Sequence, residues 1–254
     1  MCMALRPYIV GNWKMNGTRA SLAEARAIDR LAQRAPSVEV AITPPFTLLA
    51  AMANEASHAV IGGQTCHTGI SGAFTGEISA PMLADAGACF VLAGHSERRW
   101  QQGEGDSLVR AKAEAALAAG LTVIVCVGER EETRDAGHAK TFVTRQLEAS
   151  LPRVEGAAAR LSVGYEPVWA IGTGRVPTVE DVGAMHRAIR AALVEVYGAA
   201  GQGVRILYGG SVTGANAAEL LRADQVGGAL VGGASLTAEG FGGIILAAAG
   251  LVEA

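Results

Sequence analysis

The sequence predicts an α/β fold: a closed barrel of eight parallel strands with helices outside, a (β/α)8 architecture. Three observations predict it. Short β-branched or apolar runs recur eight times along 254 residues. Most show little polar alternation, which is how parallel strands covered on both faces read. Ala-rich helical patterns lie between many of them, and repeated strand–helix units build a parallel sheet. An open doubly wound sheet is the structural alternative, but eight units in a chain of this length match a closed barrel.

In chain order the runs are Tyr8–Val10, Val38–Ile42, Ala59–Ile61, Cys89–Leu92, Thr122–Val127, Leu161–Tyr165, Val204–Tyr208 and Ala229–Val231. Helical patterns fill the gaps at Ser21–Arg34, Asp106–Ala119, Thr178–Tyr197 and Asn216–Arg222. Ser21 with Glu24, and Thr178 followed by Glu180 and Asp181, have the composition of helix starts. Gly120 reads as a helix stop before the fifth strand. No Pro/Gly/Ser-rich linker or composition break divides the chain, so residues 1–254 read as one barrel domain.

Half the residues are apolar and only 5% aromatic, so the core is expected to be Ala, Val, Ile and Leu. The net charge is −3 and the isoelectric point about 6.0. Neither supports nucleic acid or an anionic membrane as the main partner. Anion binding must then come from local groups. Cys2, Cys66, Cys89 and Cys126 have no metal-site spacing. Cys89 and Cys126 sit in apolar runs and are expected to be buried thiols, which favours a reducing, cytoplasmic compartment. Pro7 and Gly11 precede any long apolar stretch, so no signal peptide is expected. The longest uncharged apolar runs fall short of the ~20 residues that a spanning helix needs.

The residues that follow the runs carry the chemistry. In a barrel the C-terminal strand ends share one face, and that face holds the active site. Asn12 and Lys14 follow the first run, His95 the fourth, Glu166 the sixth, Tyr208-Gly-Gly-Ser211 the seventh and Gly232-Gly233 the eighth. Dispersed residues are thus expected to converge on one pocket.

Glu166 is a carboxylate at a strand end, followed by a Pro-led segment that closes on Gly172-Thr173-Gly174. Pro167 stiffens the start, and Trp169 and Ile171 give a lid something to bury. A carboxylate under a water-excluding lid suits proton abstraction next to a carbonyl. A lone His after an apolar run is more often structural. Here Ser96 and Glu97 resemble the opening of a helical turn, whose N–H groups are expected to donate to the His95 ring and disfavour its protonation. A neutral imidazole can donate to a carbonyl oxygen. His58, His67, His138 and His186 lack such a setting and read as surface or structural.

A Lys after a strand is usually a solvated charge. Lys14, flanked by Asn12 and Trp13 and facing the same end, is suited to hold a developing negative oxygen. Glu97 and Arg98 read as structural partners. Glu129 is ambiguous between a structural residue and one that supports the site. Each Gly-Gly turn alone reads as a tight turn. Two of them after the last two strands fit a phosphate cradle of backbone N–H groups. No nucleotide-binding glycine motif is present.

These residues together resemble the triosephosphate isomerase family. The matching stretches are Gly11–Gly17, Gly72–Glu77, Ala93–Arg99, Cys126–Glu129, Gly164–Gly174, Tyr208–Val212 and Leu230–Leu236, in order and over nearly the whole chain. The resemblance implies the TIM barrel and interconversion of glyceraldehyde 3-phosphate and dihydroxyacetone phosphate through an enediolate, a step of glycolysis and gluconeogenesis. It implies Glu166 as the base, His95 as the neutral electrophile, Lys14 as positive charge and Asn12 as a substrate-positioning group. The pairing of a glutamate base with a neutral histidine is that family's established chemistry. Backbone N–H groups of Gly172, Ser211, Gly232 and Gly233 are implied to hold the phosphate. The family uses no metal or organic cofactor. It also implies a homodimer, with the Gly72–Glu77 loop, around Phe74 and Thr75, docking near the partner's active site.

Three positions depart from the family pattern. Thr65 stands where Asn is frequent, and Gly227 where Asp is usual. Pro177 ends the lid and has no N–H, so it cannot donate the closing bond to Tyr208. The Tyr208 hydroxyl is expected to face the site. Two other readings stand beside the main one. One is the same isomerisation of a four-carbon tetrulose phosphate. The other is a sugar-phosphate binding barrel without catalysis, against which the presence of Glu166 and His95 argues.

Overall fold

The computed structural model describes residues 6–171, 175 and 177–252. Eight parallel strands close on themselves, each bonded to its neighbours in sequence and the first to the last. They are β1 (Tyr8–Asn12), β2 (Glu39–Thr43), β3 (Val60–Gly63), β4 (Phe90–Ala93), β5 (Thr122–Val127), β6 (Leu161–Tyr165), β7 (Arg205–Tyr208) and β8 (Gly228–Val231). Each grows from one of the eight apolar runs. Register is set by pairs such as Gly11↔Ile42, between β1 and β2, and Gly11↔Val231, which brings the first and last strands together.

The helices are α1 (Leu22–Arg34), α2 (Phe46–Glu55), α3 (Ala80–Asp85), α4 (Ser96–Gln101) and α5 (Asp106–Ala118). They continue with α6 (Glu131–Asp135), α7 (Ala139–Ser150), α8 (Val179–Tyr197), α9 (Ala217–Leu220) and α10 (Ala238–Val252). Thr178 caps α8 as its sequence suggests, its hydroxyl accepting from the Asp181 N–H at 3.1 Å. Gly120 follows α5 with φ of +85°, a backbone that L side chains resist.

Three expectations need correction. Ser21 does precede α1, but its hydroxyl accepts from the Thr18 N–H instead of capping that helix. Glu24 reaches across to accept from the Ala238 N–H, so it ties α1 to α10. The pattern Asn216–Arg222 yields only the single turn α9, because Asn216 is spent on the turn before it, bonding Thr213 and Ser211. Cys89 is exposed, not buried. Alternation at the start of β4 turns Ala88 and Phe90 inward and leaves the thiol between them outside.

Two apolar layers hold the fold. One lies between strands and helices and includes the fully buried Ile28, Leu147, Ile189 and Ile245. The other fills the barrel, with Tyr8, Val10, Phe90, Leu92, Ile124 and Leu207 among its members. Gly62 makes room for Phe90, since a Cβ there would lie 2.5 Å from the ring. At the N-terminal strand ends Phe90 meets Tyr8 edge-on, with centroids 6.1 Å apart. The Arg205 guanidinium lies 4.3 Å over the Tyr8 ring and pairs with Glu39. Burial and the Glu39 charge push the Tyr8 hydroxyl far above its usual range. This end is plugged, which leaves the opposite end for chemistry.

Candidate active site

At the C-terminal strand ends a cleft of about 320 Å³ opens among Asn12, Lys14, His95, Glu166, Gly209–Thr213 and Leu230–Ala234. Its size suits a small ligand. The sequence-predicted residues Asn12, Lys14, His95, Glu166, Ser211, Gly232 and Gly233 all line it. Gly172 lies outside the described residues, as do Thr173, Gly174 and Val176.

The end of β1 carries a strained turn. Lys14 has φ of +54°, unusual for a residue with a side chain. Local bonds hold it there. Its N–H donates to Asn12 Oδ1 at 3.0 Å, and its carbonyl accepts from Gln64 Nε2 at 2.8 Å. Trp13, buried beside it, donates its indole N–H to the Ser235 carbonyl. Lys14 Nζ sits 2.7 Å from Glu97 Oε1.

The end of β4 turns directly into α4, and His95 is its N-cap. The Glu97 N–H donates to His95 Nδ1 at 3.3 Å, the arrangement expected from the sequence. With Nδ1 as acceptor, the ring proton is on Nε2. That nitrogen meets Glu166 Oε1 at 2.8 Å.

Glu166 follows β6, and its N–H donates to the Val127 carbonyl. Its carboxylate is fully enclosed, yet it accepts from the Ser96 N–H at 2.9 Å and the Ser96 hydroxyl at 3.4 Å. Burial pushes this carboxyl up. The adjoining His95, the bonds from His95 and the Ser96 N–H, and the Lys14 charge outweigh burial and hold it below its ordinary value. The group is therefore an ionised base in an enclosed site.

Two glycines give Glu166 its room, one against its backbone and one against its side chain. A Cβ at Gly128 would lie 1.7 Å from the Glu166 carbonyl oxygen. One at Gly209 would lie 2.9 Å from Glu166 Cγ. The β7 turn is ordered by Asn216, which bonds Thr213 N–H and the Ser211 carbonyl. After β8, Gly233 opens a 3₁₀ turn, and Ser235 closes it onto the Gly232 carbonyl at 2.7 Å. A Cβ on Gly233 would meet nothing within 4 Å, so open space lies over that peptide.

The family model for triosephosphate isomerase matches residues 7–248. The chain belongs to the triosephosphate isomerase family. It is 56% identical to the triosephosphate isomerase of Afipia carboxidovorans, over 93% of this chain and 95% of that one. With that of Caulobacter vibrioides the identity is 55%, covering 95% and 96% of the two chains. The crystal structure of triosephosphate isomerase from Bartonella henselae superposes with a TM-score of 0.89 at 45% identity. That match covers 96% of this chain and 99% of the other. The protein is thus an isomerase enzyme of this family, on the family's barrel.

Against the triosephosphate isomerase pattern, the departures find their places. Thr65 is buried and accepts from Lys112 Nζ at 3.0 Å, in a cluster where Glu104 also takes Lys112 and Arg98. Gly227 continues the ladder, its N–H on Ile206 and its carbonyl on Tyr8. Pro177 is buried. The Tyr208 hydroxyl is buried. It is folded beneath Gly210, where a Cβ would come within 2.1 Å of it, and has no partner among the described residues.

Sequence reading undervalued three residues. Glu97 was expected to be structural, yet it grips Lys14 and brings Oε2 to 3.6 Å from His95 Nδ1. Ser96 was noted only as a helix opening, yet it holds the Glu166 carboxylate. Glu129, left ambiguous, anchors Val168 and Trp169 just after Glu166. Its Oε1 accepts from Tyr165 Oη at 3.1 Å and Trp169 Nε1 at 2.8 Å, and its carbonyl takes the Val168 N–H. Burial pushes the Glu129 carboxyl up, against those two bonds. The signal available was position: each follows a strand end by a few residues.

Proposed function

We propose that this enzyme interconverts glyceraldehyde 3-phosphate and dihydroxyacetone phosphate, with the cleft residues in the following roles. The Glu166 carboxylate takes a proton from the carbon next to the carbonyl. The electron pair moves to the carbonyl oxygen, and the proton on His95 Nε2 hydrogen-bonds that oxygen. Lys14 offsets the negative charge of the enediolate. His95 Nε2 gives its proton to the former carbonyl oxygen and takes the proton of the neighbouring hydroxyl, while Glu166 returns its proton to the neighbouring carbon, so the carbonyl is left on the other oxygen. For these transfers the Glu166 carboxylate must turn from Ser96 and His95 toward the substrate. Asn12 positions the substrate, and N–H groups of Ser211, Gly232, Gly233 and Gly172 hold the phosphate.

The observation that carries this reading is the 2.8 Å approach of the buried His95 Nε2 to the buried Glu166 Oε1 on the wall of the cleft. A base and a hydrogen-bond donor there face one small volume, beside one ammonium and two glycine turns. A coupled isomerase assay on three- and four-carbon phosphates tests it. Turnover of the triose phosphate with a higher kcat/KM than the tetrulose phosphate is expected, and the reverse order overturns the choice of substrate. Lys14→Met is expected to keep the fold and raise the inhibition constant for inorganic phosphate-bearing ligands. An unchanged constant removes Lys14 from the site.

We further propose that two copies pair through the Gly72–Glu77 loop. Phe74 is 48% exposed and Met82 54%, and both line one shallow hollow. Met15, next to Lys14, is 95% exposed. Large apolar groups so exposed favour burial in an interface. Sedimentation at micromolar concentration should give a dimer, and an active monomer refutes it. We assign the enzyme to a reducing, cytoplasmic setting, in keeping with the buried free thiols of Cys66 and Cys126. No described helix is long and apolar enough to cross a membrane.

A further inference from the structure

Arg99 lies one helical turn after His95, and its side chain is only 5% exposed. Every arm of its guanidinium is occupied. Nε donates to the Gly94 carbonyl at 2.8 Å and to the Cys126 carbonyl at 3.2 Å. Nη2 donates to the Cys126 carbonyl at 3.0 Å and to Ser150 Oγ at 2.9 Å. Nη1 donates to Asp106 Oδ1 at 2.7 Å, and the Ser150 hydroxyl donates to that same oxygen at 3.2 Å. The anchors are thus the first residue of α5 and the last of α7.

The two carbonyls matter most. The Gly94 carbonyl and the His95 nitrogen belong to one planar peptide, so holding the first orients the second. Gly94 has φ of +72°, and a Cβ on it would lie 3.0 Å from Arg99 Nη2 and 2.7 Å from both γ-carbons of Val109. Glycine lets the guanidinium and Val109 press against this peptide. The Cys126 carbonyl is next to that of Val127, which receives the Glu166 N–H at 2.8 Å. A single planar fork therefore joins the backbone that carries His95 to the backbone that carries Glu166. A lysine, with a point-like ammonium, cannot reproduce that set of directions.

We propose that Arg99, fixed by Asp106 and Ser150, is a positioning residue for the His95–Glu166 pair, acting on turnover and not on phosphate binding. The inference rests on the roles given above to His95 and Glu166. The separation of effects follows from contact: Arg99 bonds nothing in the turns after β7 and β8, which we read as the phosphate cradle. Acid–base geometry is intolerant, and a displacement of about 1 Å can lower a rate about 10²-fold.

The test compares wild type, Arg99→Lys, Ser150→Ala and Glu166→Gln. Each is assayed for kcat, KM and inhibition by inorganic phosphate, and the imidazole nitrogens of His95 are followed by NMR in the wild type, Arg99→Lys and Ser150→Ala. Arg99→Lys should lower kcat by about 10- to 100-fold while KM and the phosphate constant stay within about twofold. The His95 nitrogen resonances should shift. Ser150→Ala should give the same pattern at about threefold. A folded Arg99→Lys with wild-type kcat, or with KM and the phosphate inhibition constant rising in step with the loss of kcat, overturns the proposal. If Arg99→Lys does not fold, Ser150→Ala with unchanged kcat and unchanged His95 resonances overturns it. Glu166→Gln separates the two levels. If it stays active, the reading of the site fails. If it is inactive while the Arg99 and Ser150 variants behave as wild type, only the present proposal fails.

Discussion

The two ends of the barrel are made from the same eight strands and are built to opposite rules. At the N-terminal end the first residues of the strands satisfy one another. Arg205 pairs with Glu39 and covers the Tyr8 ring, and Phe90 packs edge-on against that ring. At the C-terminal end the residues just beyond the strands are held in less comfortable states. Lys14 is in the left-handed region, and the Glu166 carboxylate is buried with its partners aimed from α4. The difference teaches that the sheet fixes where groups go, while the pairing of polar groups decides whether an end stabilises or reacts. One end is filled with ring carbons, and the other keeps an open cleft of about 320 Å³.

The comparison breaks if changes at one end have the effects of the other. The largest expected effect is Glu166→Gln, which removes the base and keeps the shape. It should lower kcat about 10²–10⁴-fold with little change in urea stability. A loss of stability without loss of turnover would erase the distinction. Phe90→Ala should do the reverse. Truncating a fully buried Phe typically costs about 3–5 kcal/mol, read as a lower urea midpoint, with kcat per folded molecule unchanged.

His186 sharpens the contrast, because it is buried on α8 behind β6 and does not line the cleft. Its ring meets Tyr165 edge-on, and its Nδ1 lies 3.3 Å from the Gln225 carbonyl. Burial lowers its pKa to about 4 from an ordinary 6.5. Protonation is thus favoured by the unfolded chain. The contribution of this residue is fully present above pH 6.5 and is lost as pH falls toward 4. At 1.36 kcal/mol per unit, the loss is about 3 kcal/mol. His186→Gln should flatten the fall of stability across that window in urea titrations at a series of pH values. Equal slopes would mean that the buried ring does not govern acid sensitivity. The smallest effect is expected from Trp169→Phe, which deletes the donor to Glu129. A loss of about 0.5–1.5 kcal/mol in stability is expected. A change of kcat/KM of a few-fold should accompany it, because this bond holds the chain that directly follows Glu166.

Most of the scaffold was legible because it rests on local pattern. Eight apolar runs became eight strands, and the polar residues after them fell on one face because a closed parallel sheet leaves no other place. That rule alone brings Asn12, Lys14, His95, Glu166, Ser211, Gly232 and Gly233 to the lining of one cleft. What escaped was pairing over distance. Nothing near Lys14 in sequence announces that Glu97 will hold it, and nothing near Arg99 announces Asp106 with Ser150. The Ser21–Glu24 spacing had the look of a local cap, yet a longer-range bond to Ala238 won Glu24. The Cys89 thiol was misjudged because an apolar run does not reveal the phase at which its first residue turns outward. The packing of the Tyr208 ring under Gly210 escaped for a related reason, since only the close approach of the two in space reveals it.

The backbone at residue 14 sets two kinds of selection against each other. Among the described residues only Lys14 and Gln225 carry a side chain at positive φ. For most L-residues that region costs about 1–2 kcal/mol, and glycine or asparagine relieves it. A library screened for heat tolerance should therefore gather glycine or asparagine at this codon. A library screened for growth on the enzyme's turnover should retain lysine there. Engineering for robustness is best done with codon 14 held fixed, because the substitution that a thermal screen rewards is the one that removes the ammonium from the cleft.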